Sequence, residues 1–557
     1  MSRTGPPDLV FVNGAVYTLD ATRSWANAVA VSNGGIVAVG ADAEVRAIAG
    51  GGTEVVDLGG RMLLPGFQDA HAHPPSSGLD LLRCNLAEDY SLGAYERIVA
   101  EFAAAHPDDA WIVGSGWSMD VFPGGNPPKE ALDRVVPERP VRLWSRDGHS
   151  VWVNTRALEI AAVTADTPDP ADGWIVRDER GEPAGALHEG ACDLVEKHVP
   201  EPTAGDWVAG LRAAQTYLHA LGITAWQDAI VGGHYPTLDP YLSFARSGEL
   251  TARVVGALWW DRHRGLEQID DLLALRERGR AGSFRATSVK IMQDGVIENF
   301  TAGVLEPYLD ADGRPTDNRG KSFVDPEELK AAVTRLDAEG FQVHVHAIGE
   351  RAVREALDAF EAARGANGPS DHRHHIAHIQ VIHPDDVPRF RELDVTANAQ
   401  PLWAVHEGQM DHLTIPFLGP ERSGWQYPFG SLVRSGARVA MGSDWAVSSP
   451  NPLWEMHVAV NRTSPPGYEY GEANGPAEPF LPEERIDLPT AIAGFTINAA
   501  YVNHLDDVTG SIEVGKRADL IVLDRNPFEH PADRIAEARV VRTLVDGERV
   551  FDAGDLA

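Results

Sequence analysis

MLLPGFQDAHAHP, residues 62–74, is the stretch on which the reading of the fold turns. An apolar run bends at Pro65-Gly66 and ends in two histidines one residue apart. Side chains at i and i+2 of a strand face the same way, so His71 and His73 can both present a ring nitrogen to one ion. Taken alone, a His-x-His is more often a surface loop than a ligand pair. The rest of the chain decides between the two.

From the helical run Trp207 to Leu221 onward, apolar strands alternate with helix-like segments to about residue 500. The strand candidates are ITAWQDA, VVGALWW, TSVKIM, QVHVHAI, HHIAHIQ, DVTANAQ and ARVAMGSD. Asp325-Pro326 reads as a helix start, with Asp as cap and Pro at the first helical position. Such alternation predicts a (β/α)8 barrel. A doubly wound sheet is the competitor, but the chain has no glycine-rich dinucleotide or phosphate loop.

Reactive groups of such a barrel come from the C-terminal ends of different strands. His346 closes QVHVH, with His344 on the same face but deeper; His378 closes HRHHIAH, and Asp444 closes RVAMGSD. Lys290 lies in SVKIM, an apolar strand where an unpaired ammonium is costly to bury. Each has a plainer reading: hydrogen-bonded packing for the histidines, a pair with Asp294 for the lysine, a helix cap for Asp444. His372, His374 and His375 are read as structural. Metal-ligand residue types recurring at successive strand ends outweigh the plainer readings.

Outward from the barrel, short alternating segments punctuated by tight turns occur only at the two ends: LVFVNGAVYTL and AVAVSNGGIVAVG near the start, GSIEVGKRADLIVLD and VVRTLVDGERVF near the finish. These predict antiparallel hairpins that join into one small β-sandwich, made from residues 1–64 and 506–557, with the barrel of residues 65–505 inserted. Residues from about 75 to 200 are rich in Gly, Pro and Trp without a clean helix period, and read as an insertion or lid.

The composition, 43% hydrophobic and 23% charged, is that of a globular protein. No stretch approaches ~20 uninterrupted apolar residues, and the N-terminus lacks a secretory pattern, so the expected location is cytoplasmic. Cys84 and Cys192 read as packing residues. With 82 acidic and 48 basic residues the net charge is −34, which disfavours nucleic acid, anionic membrane and polyanionic substrates. The expected partner is a small-molecule substrate, and a homodimer is the oligomer to test.

The segments PGFQDAHAHP, VKIMQDG with Thr301–Gly303, VHAIGE, IAHIQ, GSDWAV and GSIEVGKRADLIVLD together resemble the metal-dependent amidohydrolase superfamily, and more closely its YtcJ-like branch with the N-substituted formamide deformylases. The resemblance spans nearly the whole chain and implies a (β/α)8 barrel with a terminal β-sandwich. It makes His71 and His73 ligands of the more buried metal, His346 and His378 ligands of a second, and Asp444 a ligand that also handles protons. Lys290 matches the lysine that bridges two metals when carboxylated; a mononuclear site with unmodified lysine stays open. The implied cofactor is one or two divalent ions, with Zn2+ expected from the imidazole and carboxylate ligands. Glu350 stands where aspartate is usual, and Gln380 departs from the family's HAQ.

The implied reaction is hydrolysis of a C–N bond, in an amide, N-substituted formamide or cyclic amide, by a metal-activated water with Asp444 as proton shuttle. A deaminase or decarboxylase on the same scaffold, or a non-catalytic relative, are the alternatives. Trp117, His149, Trp403 and Trp445 are candidate substrate contacts. With Trp111, Trp144, Trp152 and Trp425, these tryptophans predict a pocket for a neutral, largely apolar amide, unless most of them pack inside the insertion and leave the pocket polar.

Overall fold

Eight parallel strands form the centre of the computed structural model, which describes every residue except 1–4, 88, 234, 469–477, 555 and 557. In chain order they are β1 (Phe67–Ala72), β2 (Ile223–Val231), β3 (Arg253–Trp259), β4 (Phe284–Met292), β5 (Gln342–Ala347), β6 (His375–His378), β7 (Thr396–Ala399) and β8 (Val439–Met441). Successive strands pair in parallel from β1 to β8. The ring closes between β8 and β1 through loop and side-chain bonds. Asp444 N–H donates to the His71 carbonyl at 2.7 Å, and the Asp69 carboxylate accepts from Ser443 N at 3.1 Å and Ser443 Oγ at 2.5 Å. Gly442 permits this approach, because a Cβ there would lie 2.4 Å from the His71 nitrogen.

Helices clad the barrel, among them Ala204–Ala220, Pro326–Ala338 and Glu350–Asn367. Asp325 caps the second as expected, accepting from Glu327 N at 2.9 Å and Glu328 N at 3.3 Å. Leu329, Val333 and Leu336 of that helix join Val289, Ile291, Val343 and Val345 of the strands in one core. Among the described residues no helix is long and apolar enough to cross a membrane.

The two chain ends do meet in a β-sandwich. Leu520–Leu523 pairs antiparallel with Met62–Pro65, so a C-terminal strand runs beside the one that leads into β1. Phe11, Val29, Val31 and Val56 of one sheet pack on Leu63, Leu520, Val522 and Leu544 of the other. Two of the expected hairpins form, at Asn33-Gly34 and Asp546-Gly547, where both turn residues take positive φ. The turn at Asn13-Gly14 is different: Leu9–Val12 and Ala15–Tyr17 lie in separate sheets. All four residues of Leu9–Val12 are buried, so this strand sits between Ala28–Ser32 and Glu54–Asp57 and its continuation turns the corner of the sandwich. Arg253 of β3 ties barrel to sandwich, donating to Asp519 at 2.7 and 3.0 Å and to Asp546 at 2.7 Å.

The insertion carries its own six-stranded sheet. Cys84–Asn85, Ile112–Trp117 and Val141–Ser145 are parallel, and Ser150–Val153, Pro183–Glu189 and Gly173–Arg177 complete it antiparallel. A helix that was not expected in the insertion, Leu92–Ala105, covers one face with Tyr95, Val99 and Ala103.

Candidate metal centre

At the C-terminal mouth of the barrel, the β8–β1 seam brings the candidate ligands His71, His73 and Asp444 together. His71 Nε2 and His73 Nε2 approach Asp444 Oδ1 at 3.2 and 2.9 Å, and His378 Nδ1 lies 3.8 Å from Asp444 Oδ2. The rings of His71 and His378 are 4.7 Å apart, and those of His346 and His378 4.5 Å. Asp444 stands in the loop beyond β8 rather than closing the strand. It and His378 adopt φ of +54° and +76°, a conformation that non-glycine residues keep only where their surroundings enforce it.

His71 Nε2, His73 Nδ1, His378 Nδ1 and Asp444 Oδ1 are buried without a hydrogen-bond partner. His71 Nε2 faces Asp444 Oδ1 and His378 Nδ1 lies toward the other Asp444 oxygen, whereas His73 turns Nε2, not the orphaned Nδ1, to the carboxylate. Orphaned polar atoms on facing ligand-type residues are costly and fit a divalent ion. A network beneath them fixes which His71 nitrogen is available. Gln227 of β2 donates through Nε2 to Gln342 Oε1 at 3.0 Å and Asn503 Oδ1 at 3.2 Å, so its Oε1 faces the barrel as an acceptor. His344 Nδ1, 2.8 Å away, must donate to it, which leaves His344 Nε2 to accept from His71 Nδ1 at 2.9 Å. The lone pair of His71 therefore sits on Nε2, facing Asp444. His375 Nε2 donates to the same Gln227 oxygen at 3.1 Å, and Asn398 donates to His375 Nδ1 at 3.2 Å and to the Ala70 carbonyl at 2.9 Å. Burial, then the charge of Lys290, pulls His71 down to about 3, so the ring is neutral as a ligand must be.

Lys290 points into the same interior at 3% exposure. Among the described residues it has no ion-pair partner, and the pairing with Asp294 does not form. Asp294 instead accepts from the Gly303, Ile348 and Gly349 nitrogens at 2.8, 3.0 and 2.9 Å, pinning the loops after β4 and β5 together. The close approach of the two loops accounts for Gly349, where a Cβ would lie 2.2 Å from the Gly303 carbonyl oxygen. Burial pulls the Lys290 amine down to about 8, with Asp444 and Asp228 opposing. His346 stands one ring further out, its Nε2 3.4 Å from the Gly295 carbonyl.

Three residues at the centre lay outside the sequence reading. Asp69 holds the seam; Asp228 has a buried Oδ2 without a partner and is pushed by burial up to about 6; Gln227 orients His344. The signal for the first was adjacent, two residues before His71, and for the others it was an acid and an amide inside an apolar strand.

The proposed substrate contacts divide. His149 Nδ1 bonds Glu189 Oε1 at 2.9 Å, and its ring lies 5.6 Å from that of His346. Glu189 Oε1 also accepts from Thr301 Oγ1 at 2.9 Å and Asn299 Nδ2 at 3.2 Å, joining insertion to barrel. Trp403 stacks on His378 at 5.3 Å and 12°. Trp117, in contrast, is buried in the core of the insertion with its indole N–H on the Leu143 carbonyl at 2.8 Å. Trp445 packs on Tyr217 of the outer helix Ala204–Ala220 at 5.2 Å. Trp117 is thus a packing residue of the insertion, whereas Trp445 follows Asp444 directly and its carbonyl accepts from His73 N at 3.0 Å. Trp111, Trp144 and Trp152 pack within the insertion as well, which leaves the mouth more polar than the tryptophan count predicts. Glu350 accepts from Leu305 N at 3.0 Å, a structural bond between two loops, and Gln380 donates to Gln426 at 3.0 Å.

A (β/α)8 barrel whose mouth gathers His and Asp side chains that could hold a divalent ion fits a metal-dependent hydrolase. The chain belongs to the amidohydrolase family, whose model, described as "Amidohydrolase family", matches residues 54–551. It is thus an enzyme acting on carbon–nitrogen bonds. The chain is 32% identical to Protein LONG AFTER FAR-RED 3 of Arabidopsis thaliana over 98% of its own length and 91% of that protein. It is 28% identical to the N-substituted formamide deformylase of Arthrobacter pascens over 97% of each. Among solved structures, an uncharacterized metal-dependent hydrolase from Pyrococcus furiosus superposes with a TM-score of 0.69 at 27% identity, over 93% of this chain and 99% of that one.

Proposed function

We propose that the chain hydrolyses the C–N bond of a small amide, N-substituted formamide or cyclic amide at the barrel mouth, with Zn2+ as its ion. His71, His73 and Asp444 would hold the first ion, and His346, His378 and an N6-carboxylated Lys290 would complete a second position. The observation that carries this reading is the convergence of His71, His73 and Asp444 within ligand distance of one another, with His71 Nε2, Asp444 Oδ1 and the neighbouring His378 Nδ1 buried and without hydrogen bonds. The deformylase relative supports the formamide end of the substrate range. For Lys290, support comes from a buried amine that lacks an ion-pair partner among the described residues and is held partly neutral, the form that reacts with CO2.

A divalent ion supplies Lewis acidity and lowers the pKa of a bound water to ~7. Asp444, with one oxygen toward His71 and His73 and the other toward His378, is placed to take the proton of an attacking water and return it to the leaving nitrogen. His149, braced by Glu189 beside His346, offers a hydrogen bond to a substrate oxygen, and Trp403 provides a flat wall. Burial, then Asp147, pushes Glu298 up to about 7, and burial, then Asp120, pushes Glu407 up to about 8. With a net charge of −34 on the whole chain, a neutral substituent suits the mouth better than an anion.

The test is metal analysis of the purified protein with a matched amide set of one acyl group bearing N-aminoethyl, N-benzyl or N-carboxymethyl substituents. Metal-dependent turnover with the carboxymethyl amide poorest is expected. Full turnover in metal-free protein contradicts the mechanism, and a preference for the carboxymethyl amide contradicts the substrate class.

A further inference from the structure

At the end of the barrel opposite the metal centre, a cleft of about 610 Å3 opens between the N-terminal ends of β4, β5 and β6. Its walls include the guanidiniums of Arg280 and Arg285 and the imidazoles of His372 and His504. Arg280 and Arg285 are register partners across a short antiparallel ladder, the arrangement in which like charges directly oppose each other. Among the described residues Arg285 donates only to backbone, to the Asn503 carbonyl at 2.6 Å and the His504 carbonyl at 2.8 Å. Arg280 has no hydrogen-bond or ion-pair partner among the described residues.

The nearby acids are engaged elsewhere. Asp371 and Asp506 bind Arg373 at 3.0 and 2.6 Å, Asp337 binds His372 at 2.6 Å, and Glu339 binds Arg335 at 2.8 Å. Burial, then Arg280 and Arg373, hold the Arg285 guanidinium below its usual range. A chain with net charge −34 has carboxylates to spare, yet this pair of opposed guanidiniums receives none.

We propose that the cleft is a second binding site, for a compact polyvalent oxyanion such as the phosphate or carboxylate end of a small metabolite, held between Arg280 and Arg285 with His372 and His504 beside them. A planar guanidinium pair matches such an anion bidentately. The anion also relieves the repulsion that the empty pair builds into the barrel floor.

The experiment is thermal unfolding of the metal-loaded full chain and of its Arg280→Gln variant at low ionic strength. Inorganic phosphate and succinate are titrated separately, against sodium chloride at matched ionic strength. Phosphate, succinate or both should raise the wild-type Tm by about 1–3 °C beyond the chloride control and saturate. Arg280→Gln should lose that rise while unfolding at the same or higher temperature in anion-free buffer and keeping wild-type turnover. Phosphate bound at the mouth is common to both proteins and cancels in their difference. The relative size of the two arms separates a phosphate from a carboxylate ligand. An equal rise in the variant and the wild type, or a rise that chloride reproduces, overturns the proposal.

Discussion

Two clusters in this barrel are made of the same residue types and end in opposite conditions. His71, His73 and Asp444 at the mouth could hold an ion by distance, and so could His372, His374 and Asp337 near the floor. At the floor the carboxylate of Asp337 and both ring nitrogens of His374 are satisfied. Asp337 Oδ1 accepts from His372 at 2.6 Å, His374 at 3.0 Å and Ser370 at 3.1 Å, and Oδ2 accepts from Asn367 at 2.7 Å. Val343 N donates to His374 Nδ1 at 3.0 Å, so His374 Nε2 carries the proton and has no lone pair to give. At the mouth His71 Nε2, His378 Nδ1 and Asp444 Oδ1 lack such partners. Ligand type and spacing do not define a metal site; the accounting of lone pairs does.

The sharpest way to break this contrast is to neutralise each carboxylate. Asp444→Asn should lower turnover by about 10²–10⁴-fold with the fold intact, because it removes the proton carrier and one ligand. Asp337→Asn should leave turnover within a factor of about two and cost about 1–3 kcal/mol of stability, the penalty of unsatisfied buried donors. Steady-state kinetics with denaturant titration of both variants reads the two axes, and a turnover loss in Asp337→Asn of the same order would erase the distinction.

A smaller effect probes the network below the mouth. His344→Ala frees the His71 ring to choose its other tautomer, so metal affinity should fall by about 10–100-fold, recoverable at high metal concentration. Competition with a chelator measures it, and unchanged affinity would mean that the Gln227–His344 chain does not set the tautomer.

The smallest effect concerns the bridge between insertion and barrel. Burial opposes the charge on His149, but Glu189 more than offsets it and pushes the ring up from 6.5 to about 9. A raised pKa stabilises the fold fully below its unfolded value, and that share fades as pH climbs to the folded one. Wild-type stability should therefore decline between pH 6.5 and about 9 more steeply than that of His149→Asn. Parallel pH profiles of the Tm would refute the charged pair.

The barrel was legible because its signals are local. Strand and helix periods alternate, Asp325-Pro326 marks a helix start, and His71, His73, His346 and His378 fall at or next to strand ends. Gln227 and Asp228 were hidden because their importance is tertiary: an amide in an apolar strand acquires its role only when His344 and His375 arrive from β5 and β6. The insertion escaped because its sheet pairs Ser150–Val153 with Pro183–Glu189, skipping the strand between. Its helix Leu92–Ala105 was within reach, since Ser91 caps it by accepting from Ala94 N at 3.3 Å and its buried residues recur at helical spacing. The tryptophans misled for a physical reason: the insertion needs large side chains for its own cores, and composition cannot tell a core from a pocket.

The most direct measurement is the metal content, by elemental analysis, of three purified proteins: wild type, His71→Ala/His73→Ala, and His372→Ala/His374→Ala. About one to two equivalents of a divalent ion should be retained by the wild type and by the floor variant, with little in the mouth variant. Metal lost from the floor variant and kept by the mouth variant would place the centre at the wrong end of the barrel.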